Sequence, residues 1–497
     1  MEWIIANMAP LMFGALVLFL LCGYPVAFSL AANGIVFGLI GMELGLLTPA
    51  IFQALPERIF GIMANDTLLA IPFFTFMGLI LERSGMAEDL LDTIGQLFGP
   101  LRGGLAYAVI FVGALLAATT GVVAASVISM GLISLPIMLR YGYDKRLASG
   151  VIAASGTLAQ IIPPSLVLII MADQLGKSVG DMYEGAFVPG LVLTGLYVAY
   201  VFILSIFKPA SCPALPPEAR SLRGLKLLLR VLTTLVPPLV LIFLVLGTIF
   251  LGIATPTEGG AMGAAGALIL AVARKRLSFK LLKQAMETTG KLSSFVVFIL
   301  VGSTVFGLIF RAVNGDLWVE HLLLGLPGGQ VGFLIVVNLL VFLLAFFLDF
   351  FELSFIIVPL LAPVADKLGI DLVWFGVLLA VNMQTSFMHP PFGFALFYLR
   401  SVAPSSVKTT DIYWGAIPFV CIQIIMVALI IIFPNIVSYG DEAQKEQQRL
   451  EKEGKAPEAA GLDTLMKQST EEPDEKKEGN EDADAAALLK RLQSDSK

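Results

Sequence analysis

Three observations in the amino-acid sequence predict an all-α polytopic membrane protein, with about ten transmembrane helices and two re-entrant hairpins arranged as an inverted repeat. First, 57% of the 497 residues are hydrophobic and 14% are charged, too few charges to solvate soluble domains of that length. Second, residues 150–170 set Ser155-Gly156-Thr157 and the pair Pro163-Pro164 inside apolar sequence of spanning quality. Prolines remove backbone donors and restrict their predecessors, so this reads as a helix broken at mid-membrane. Third, residues 377–399 repeat the design with Asn382-Met383-Gln384-Thr385-Ser386 and Pro390-Pro391. Pro136 and Pro163 are 27 residues apart, as are Pro363 and Pro390, so one offset of 227 aligns both pairs. A broken helix in each half points to the central site of a transporter, because its freed backbone groups need protein, water or cargo as partners. The plainer reading is two unrelated kinks in ordinary spans.

Taken in order, residues 4–22 and 26–42 are uncharged runs, joined at Gly23-Tyr24-Pro25, and 67–81 is a third run after a mixed segment around Glu57-Arg58. These spans make an N-terminal scaffold group, 1–82. Residues 83–102 place leucines and an isoleucine at helical spacing among charges, predicting an amphipathic surface helix. No charge falls between Arg102 and Arg140, about twice the roughly 20 residues one span needs. A hairpin with its small, polar tip at 118–126 fits; two short full spans have the same parity and stay open. With the broken helix it forms residues 103–183.

Spans at 186–207, 231–253 and 259–273 follow within a second scaffold group, 184–273. Residues 274–311 read as an amphipathic arm and a span from 292 to 310. A second hairpin at 331–365, centred on 348–354, joins the second broken helix in 312–410. The last span, 412–434, lies in 411–439. Residues 440–497 are expected to be disordered, with a short helix at ADAAALLKRL.

Basic residues orient the chain. Arg140, Lys145 and Arg146, five more in 208–230, and five in 274–283 mark cytoplasmic loops. Five spans then separate the hairpins, which makes the halves inverted copies and puts both termini outside. The net charge of −6 resides in the tail: residues 440–497 hold 16 acidic and 10 basic residues of the 38 and 32 in the chain, leaving 22 of each. That balance gives no support for nucleic acid as a partner. Cys22, Cys212 and Cys421 are too scattered for a disulfide framework or metal site. The opening MEWIIANMAP lacks a signal peptide's basic start and reads as a retained span.

Within the apolar stretches, the ionisable groups are Asp349, Glu352 and His389. Charge at that depth by default marks an ion or substrate path; for the carboxylates the competing reading is a wetter hairpin tip near the outer surface. Glu258, in ATPTEGG, reads as a helix cap. Hydroxyls and unwound carbonyls suit a hard cation such as sodium. The first candidate cage is Thr119, Thr120, Gly121 and Ser126 with Ser155, Gly156 and Thr157. The second is Leu348 and Asp349 with Asn382, Gln384, Thr385 and Ser386. Close helix packing is the competing explanation for such small and polar residues. An anionic substrate would meet the positive ends of half-helices starting near Pro163-Pro164-Ser165 and His389-Pro390. His389 either donates to a carboxylate or bonds a neighbouring carbonyl. No catalytic residue is expected: Ser155 has no base beside it and no HExxH motif occurs, which weighs against an intramembrane hydrolase.

Taken together, GYPVAFSLAANG, IPFFTFMGLILERSGMA, ATTGVVAASVISMG, SGTLAQIIPPS, ATPTEGGAMGA and HPPFG resemble the large membrane subunit, the DctM-like component, of the tripartite ATP-independent periplasmic transporters, over about residues 1–439. The resemblance implies an elevator in the bacterial inner membrane. There, a transport domain of hairpins and broken helices carries sodium and an organic acid past a fixed scaffold, with sodium as coupling ion and no other cofactor. It also implies two partners, a small four-helix membrane subunit of Q type and a periplasmic substrate-binding protein of P type. Thr119 and Thr120 stand where the family often has serines, and HPPFG where it usually has TPPVG. The aromatic surround of Phe387, Phe392 and Phe394 looks like the branch associated with mannitol, chloroaromatic and 2-oxo acid uptake. A stand-alone ion-coupled organic-anion permease is the nearest alternative.

Overall fold

The computed structural model describes residues 2–120, 123–220 and 222–439. A short α1 (Glu2–Ala6) leads into α2 (Met8–Leu21) and α3 (Val26–Glu43), which follows Pro25 at the N-cap, where a missing N–H costs nothing. A 3₁₀ turn (Pro49–Ala54) and α4 (Leu55–Met63) occupy the mixed segment. α5 (Asp66–Arg83) follows at a 46° bend, its start capped by Asn65, whose side chain accepts from the Thr67 amide at 2.9 Å. The amphipathic stretch is α6 (Met86–Phe98). Met86, Ala87, Leu90, Leu91 and Ile94 are buried on one face, while Asp89 faces Arg274 at 3.6 Å and Arg276 at 3.0 Å, and Asp92 faces Arg230 at 3.1 Å.

The uncharged stretch after Arg102 forms α7 (Gly104–Thr120) and α8 (Val123–Arg140), packed against one another as a hairpin whose tip residues 121 and 122 lie outside the described residues. The helix after it is interrupted. α9 (Lys145–Thr157) runs into a 3₁₀ turn (Leu158–Gln160), the chain is irregular around a cis Pro163-Pro164 bond, and α10 (Leu166–Leu175) resumes. α11 (Val179–Phe207), α12 (Gly224–Phe250) and α13 (Pro256–Ala273) are long and apolar. The predicted arm and span at 274–311 are one uninterrupted helix, α14 (Phe279–Ala312). It has neither proline nor glycine before Gly290, so nothing in its first turns breaks the hydrogen-bond ladder.

The second half repeats the first. After α15 (Gly315–Leu324), a bend of 117° starts α16 (Gly329–Leu344), and the hairpin returns through α17 (Phe350–Glu352), a π-helical turn (Leu353–Ile357) and α18 (Val358–Lys367). Then come α19 (Leu372–Met383), a 3₁₀ turn (Gln384–Phe387), a cis Pro390-Pro391 bond, α20 (Phe394–Val402) and α21 (Thr409–Ile432). The separation of 227 residues between Thr157 and Gln384 carries the ends of α8, Val123 and Arg140, onto Phe350 and Lys367. It also carries the start of α9 onto the start of α19. Asp144 and Asp371, related by the same shift, both cap: Asp144 accepts from the amides of Arg146 and Leu147, and Asp371 from that of Trp374 at 2.8 Å.

Packing follows a two-fold pattern. The second half of each broken helix lies against the first half of the other, α10 on α19 and α20 on α9, and α21 packs on α9 as α11 packs on α19. Among the described residues, seven helices are individually long and apolar enough to cross a membrane, nine if each bent pair counts as one span. The chain is a multi-pass membrane protein, and large side chains of its second half, Phe355, Phe375 and Phe419, are buried.

Candidate functional site

The two breaks face each other at the centre of this packing. Ser155, Thr157, Ser165, Gln384 and Thr385 are fully buried, Gln160 is 2% exposed, and Asn382 and Ser386 are 3% exposed. Small residues let the hairpin come close: a methyl on Gly156 would sit 2.3 Å from Val127 of α8, and one on Gly113 of α7 would meet Ser155 at 2.5 Å. Hairpin and broken helix of the first half are therefore in contact along the predicted cage. Ser126 of α8 is buried there too. The side chains of Thr119 and Thr120, and all of Gly121, lie outside the described residues, so three of the seven residues of the first cage are without described side-chain geometry.

The hydroxyls serve the breaks locally. Ser155 donates to the carbonyl of Val151 at 2.7 Å, Thr157 to that of Ala154 at 2.8 Å, Thr385 to that of Asn382 at 2.7 Å, and Ser165 to that of Gln160 at 2.5 Å. A hydroxyl that donates backward keeps its lone pairs to accept or to ligate, and those of Thr157 accept from Gln384 and Gln423. Ser165 is thereby turned away from the helix it precedes, and α10 begins without a side-chain cap. α20 likewise begins without one, at Gly393. Two half-helix starts beside the breaks thus keep amides that no side chain satisfies, the arrangement that attracts an anion.

In the second half, the Asn382 amide donates to the carbonyl of Asn338 at 2.8 Å and to its side-chain oxygen at 2.9 Å, tying α19 to α16. Leu348, 7% exposed, closes a turn onto the Leu344 carbonyl at 2.9 Å. Asp349 and Glu352 form a reciprocal cap: the Glu352 amide donates to Asp349 and the Asp349 amide to Glu352, both at 2.9 Å. The carboxylates thus start the returning helix of the hairpin, and Asp349 keeps one oxygen outside that cap. His389 is 1% exposed and packed between rings, stacked on Phe346 at 4.1 Å and edge-on to Phe342 at 4.4 Å. Pro163 and Pro164 are buried; Pro390 is half-buried.

One contact joins the two breaks. The side-chain amide of Gln384 donates to the Thr157 carbonyl at 2.7 Å and approaches its hydroxyl at 3.3 Å. Gln423 of α21 donates to the Tyr197 hydroxyl of α11 at 3.0 Å and reaches the Thr157 hydroxyl at 3.5 Å. The amide oxygens of Gln160, Gln384 and Gln423 and the hydroxyl of Ser386 are buried without a hydrogen-bond partner among the described residues. Sequence reasoning missed Gln160, Asn338, Tyr197 and Gln423. The signal available for Gln423 was a lone amide inside an otherwise apolar final span, a placement that costs stability unless the group has a partner.

Comparison with known proteins places these features in a family. Residues 13–436 match the family described as tripartite ATP-independent periplasmic transporter, DctM component. The chain is 30% identical to the C4-dicarboxylate TRAP transporter large permease protein DctM of Vibrio cholerae, across 84% of this chain and 94% of that one. It is 29% identical to the sialic acid TRAP transporter large permease protein SiaM of the same species, with the same two coverages. In fold it resembles the crystal structure of the YdaH transporter of Alcanivorax borkumensis, with a TM-score of 0.55 and 15% identity over 85% of this chain and 99% of the other.

Proposed function

The chain belongs to the DctM component family of the tripartite ATP-independent periplasmic transporters, and on that premise we propose that it is the large permease subunit that imports a small organic acid across the bacterial inner membrane, driven by sodium. The observation that carries this reading is the pair of buried breaks, matched across 227 residues and joined by the Gln384 to Thr157 hydrogen bond. Both related permeases are named for carboxylate substrates, and the two uncapped half-helix starts suit a carboxylate. Ser165 and His389, beside Pro163-Pro164 and Pro390, border those starts. Sodium is cargo here: the hydroxyl, amide and carbonyl oxygens at Ser126, Ser155, Gly156, Thr157, Leu348, Asp349, Asn382, Gln384, Thr385 and Ser386 are the donor set a hard cation takes. Thr119, Thr120 and Gly121 complete the first cage in this reading.

The moving part comprises the hairpins and broken helices, together with α11 and α21, which pack between them. α2–α5 and α12–α14 are the scaffold, a partition that differs from the sequence-based one in taking α11 out of the scaffold, adding α14 to it and assigning the last span, α21, to the moving part. A four-helix membrane subunit and a periplasmic binding protein complete the system. The test is uptake into vesicles containing this chain and both partners. An inward sodium gradient should drive accumulation of a carboxylate held by the binding protein. Accumulation that ignores sodium removes the coupling, and accumulation without the partners favours the stand-alone permease.

A further inference from the structure

We infer that Gln384 and Gln423 couple the two cation cages across the pseudo-two-fold, so that filling one cage prepares the other. The inference rests on the sodium-driven reading and adds a property that reading does not require. Thr157 belongs to the first cage and ends α9; Gln384 belongs to the second and follows α19, 227 residues later. They occupy equivalent places in the two halves, yet they touch: Gln384 donates to the Thr157 carbonyl at 2.7 Å. The same threonine is approached from the other side by Gln423, itself anchored on Tyr197 at 3.0 Å. One residue of the first cage is therefore held by the second cage, by α21 and by α11 together.

Chemically the bridge is directional. Each glutamine spends its amide N–H on the bridge and leaves its oxygen buried without a partner. A cation filling the first cage draws its walls together and fixes the position of Thr157, and the 2.7 Å bond to the Thr157 carbonyl then fixes Gln384 and the oxygen it presents in the second half. The reverse holds for a cation reaching Gln384 first, as reciprocity of coupled binding demands. Two buried, unpaired amide oxygens cost more than an apolar side chain of the same shape would, a cost that a cation reaching them offsets.

The experiment reads the sodium dependence of uptake in vesicles containing the chain and its partners. The unaltered protein should respond with a Hill coefficient near 2, the ceiling for about two sites. Gln423→Leu, which lies in neither cage, leaves the Gln384 to Thr157 bond without its support from α21 and should lower the coefficient toward 1 and raise half-saturating sodium several-fold, with substrate KM at saturating sodium little changed. Tyr197→Phe removes a single hydroxyl and should move the coefficient the same way by less; it carries the test if Gln423→Leu does not fold. An unchanged coefficient in both folded variants overturns the coupling and leaves the transport reading standing. A sodium-dependent unaltered protein with a coefficient near 1 also overturns the coupling alone. Unaltered protein indifferent to sodium overturns both.

Discussion

Gly415 decides how closely the last helix approaches the broken one. A methyl group there would lie 2.1 Å from the Arg146 carbonyl, and one on Gly150 would lie 2.1 Å from the Gly415 carbonyl, so each glycine seats the other helix's backbone. Gly415→Ala must push α21 off α9, since a backbone carbonyl cannot rotate away as a side chain can. The expected cost is about 1–3 kcal/mol, as for overpacked cores, read as a lower unfolding midpoint in detergent. The same separation lengthens the reach of Gln423 to Thr157, so sodium affinity should fall in the same variant. At Asn382 the expectation is different. Asn382→Ala strands the side-chain oxygen of Asn338 and loosens α16 from α19, so half-saturating sodium should rise several-fold in protein that still folds; unchanged sodium activation removes Asn382 from the second cage. Small and hydroxyl residues at the breaks were legible in the sequence because they cluster inside apolar runs. Gln423 and Tyr197 were not: Gln423 is a lone amide in its span, Tyr197 is one of three tyrosines in α11, and the two partners lie 226 residues apart.

At the scale of elements, the helix starts explain what the carboxylates do. Asp144 and Asp371 cap the first half of each broken helix, and Asp371 also accepts from the Tyr439 hydroxyl. Asp371→Ala removes the cap and that second contact, and should cost on the order of 1 kcal/mol with little effect on sodium affinity, since α19 begins a full helix length from its break. Glu352→Gln tests the hairpin tip more sharply. The amide oxygen of the substituted side chain can still accept from the Asp349 N–H, so folding should persist; loss of transport in that folded variant would assign the carboxylate to cargo rather than to capping. The first hairpin was readable from the long absence of charge and the second as its repeat, whereas the π-helical turn at Leu353–Ile357 was not. Its extra residue leaves the Phe355 carbonyl to the Ser303 hydroxyl of α14, at 2.6 Å, a bond that depends on a neighbour 52 residues away and leaves no local pattern.

For the molecule as a whole, the repeat was visible as an offset between prolines, but which surfaces slide past one another is a matter of tertiary contact and had no sequence signature. Two polar contacts now separate the possibilities. Asp92 of α6 meets Arg230 of α12 at 3.1 Å; α12 belongs to the fixed part proposed above, and we place α6, which packs on α12 and α5, with it. Asn65, at the bend before α5, donates to Asp173 of α10 at 2.6 Å, and that contact crosses from fixed to moving part. In protein with Cys22, Cys212 and Cys421 replaced by alanine, a short cross-link between Asp92→Cys and Arg230→Cys should leave uptake intact, because its two ends never separate. A cross-link between Asn65→Cys and Asp173→Cys should stop uptake, and reduction should restore it, because the proposed partition has α10 move past α5. Neither outcome follows from strength of contact, since both pairs are single polar links of the kind worth about 1 kcal/mol or less when exposed. Only relative motion distinguishes them. Full uptake with the Asn65–Asp173 link closed would place α5 and α10 in one rigid body and move the sliding surface elsewhere, to α14 and the π-helical turn, where Ser303 holds Phe355.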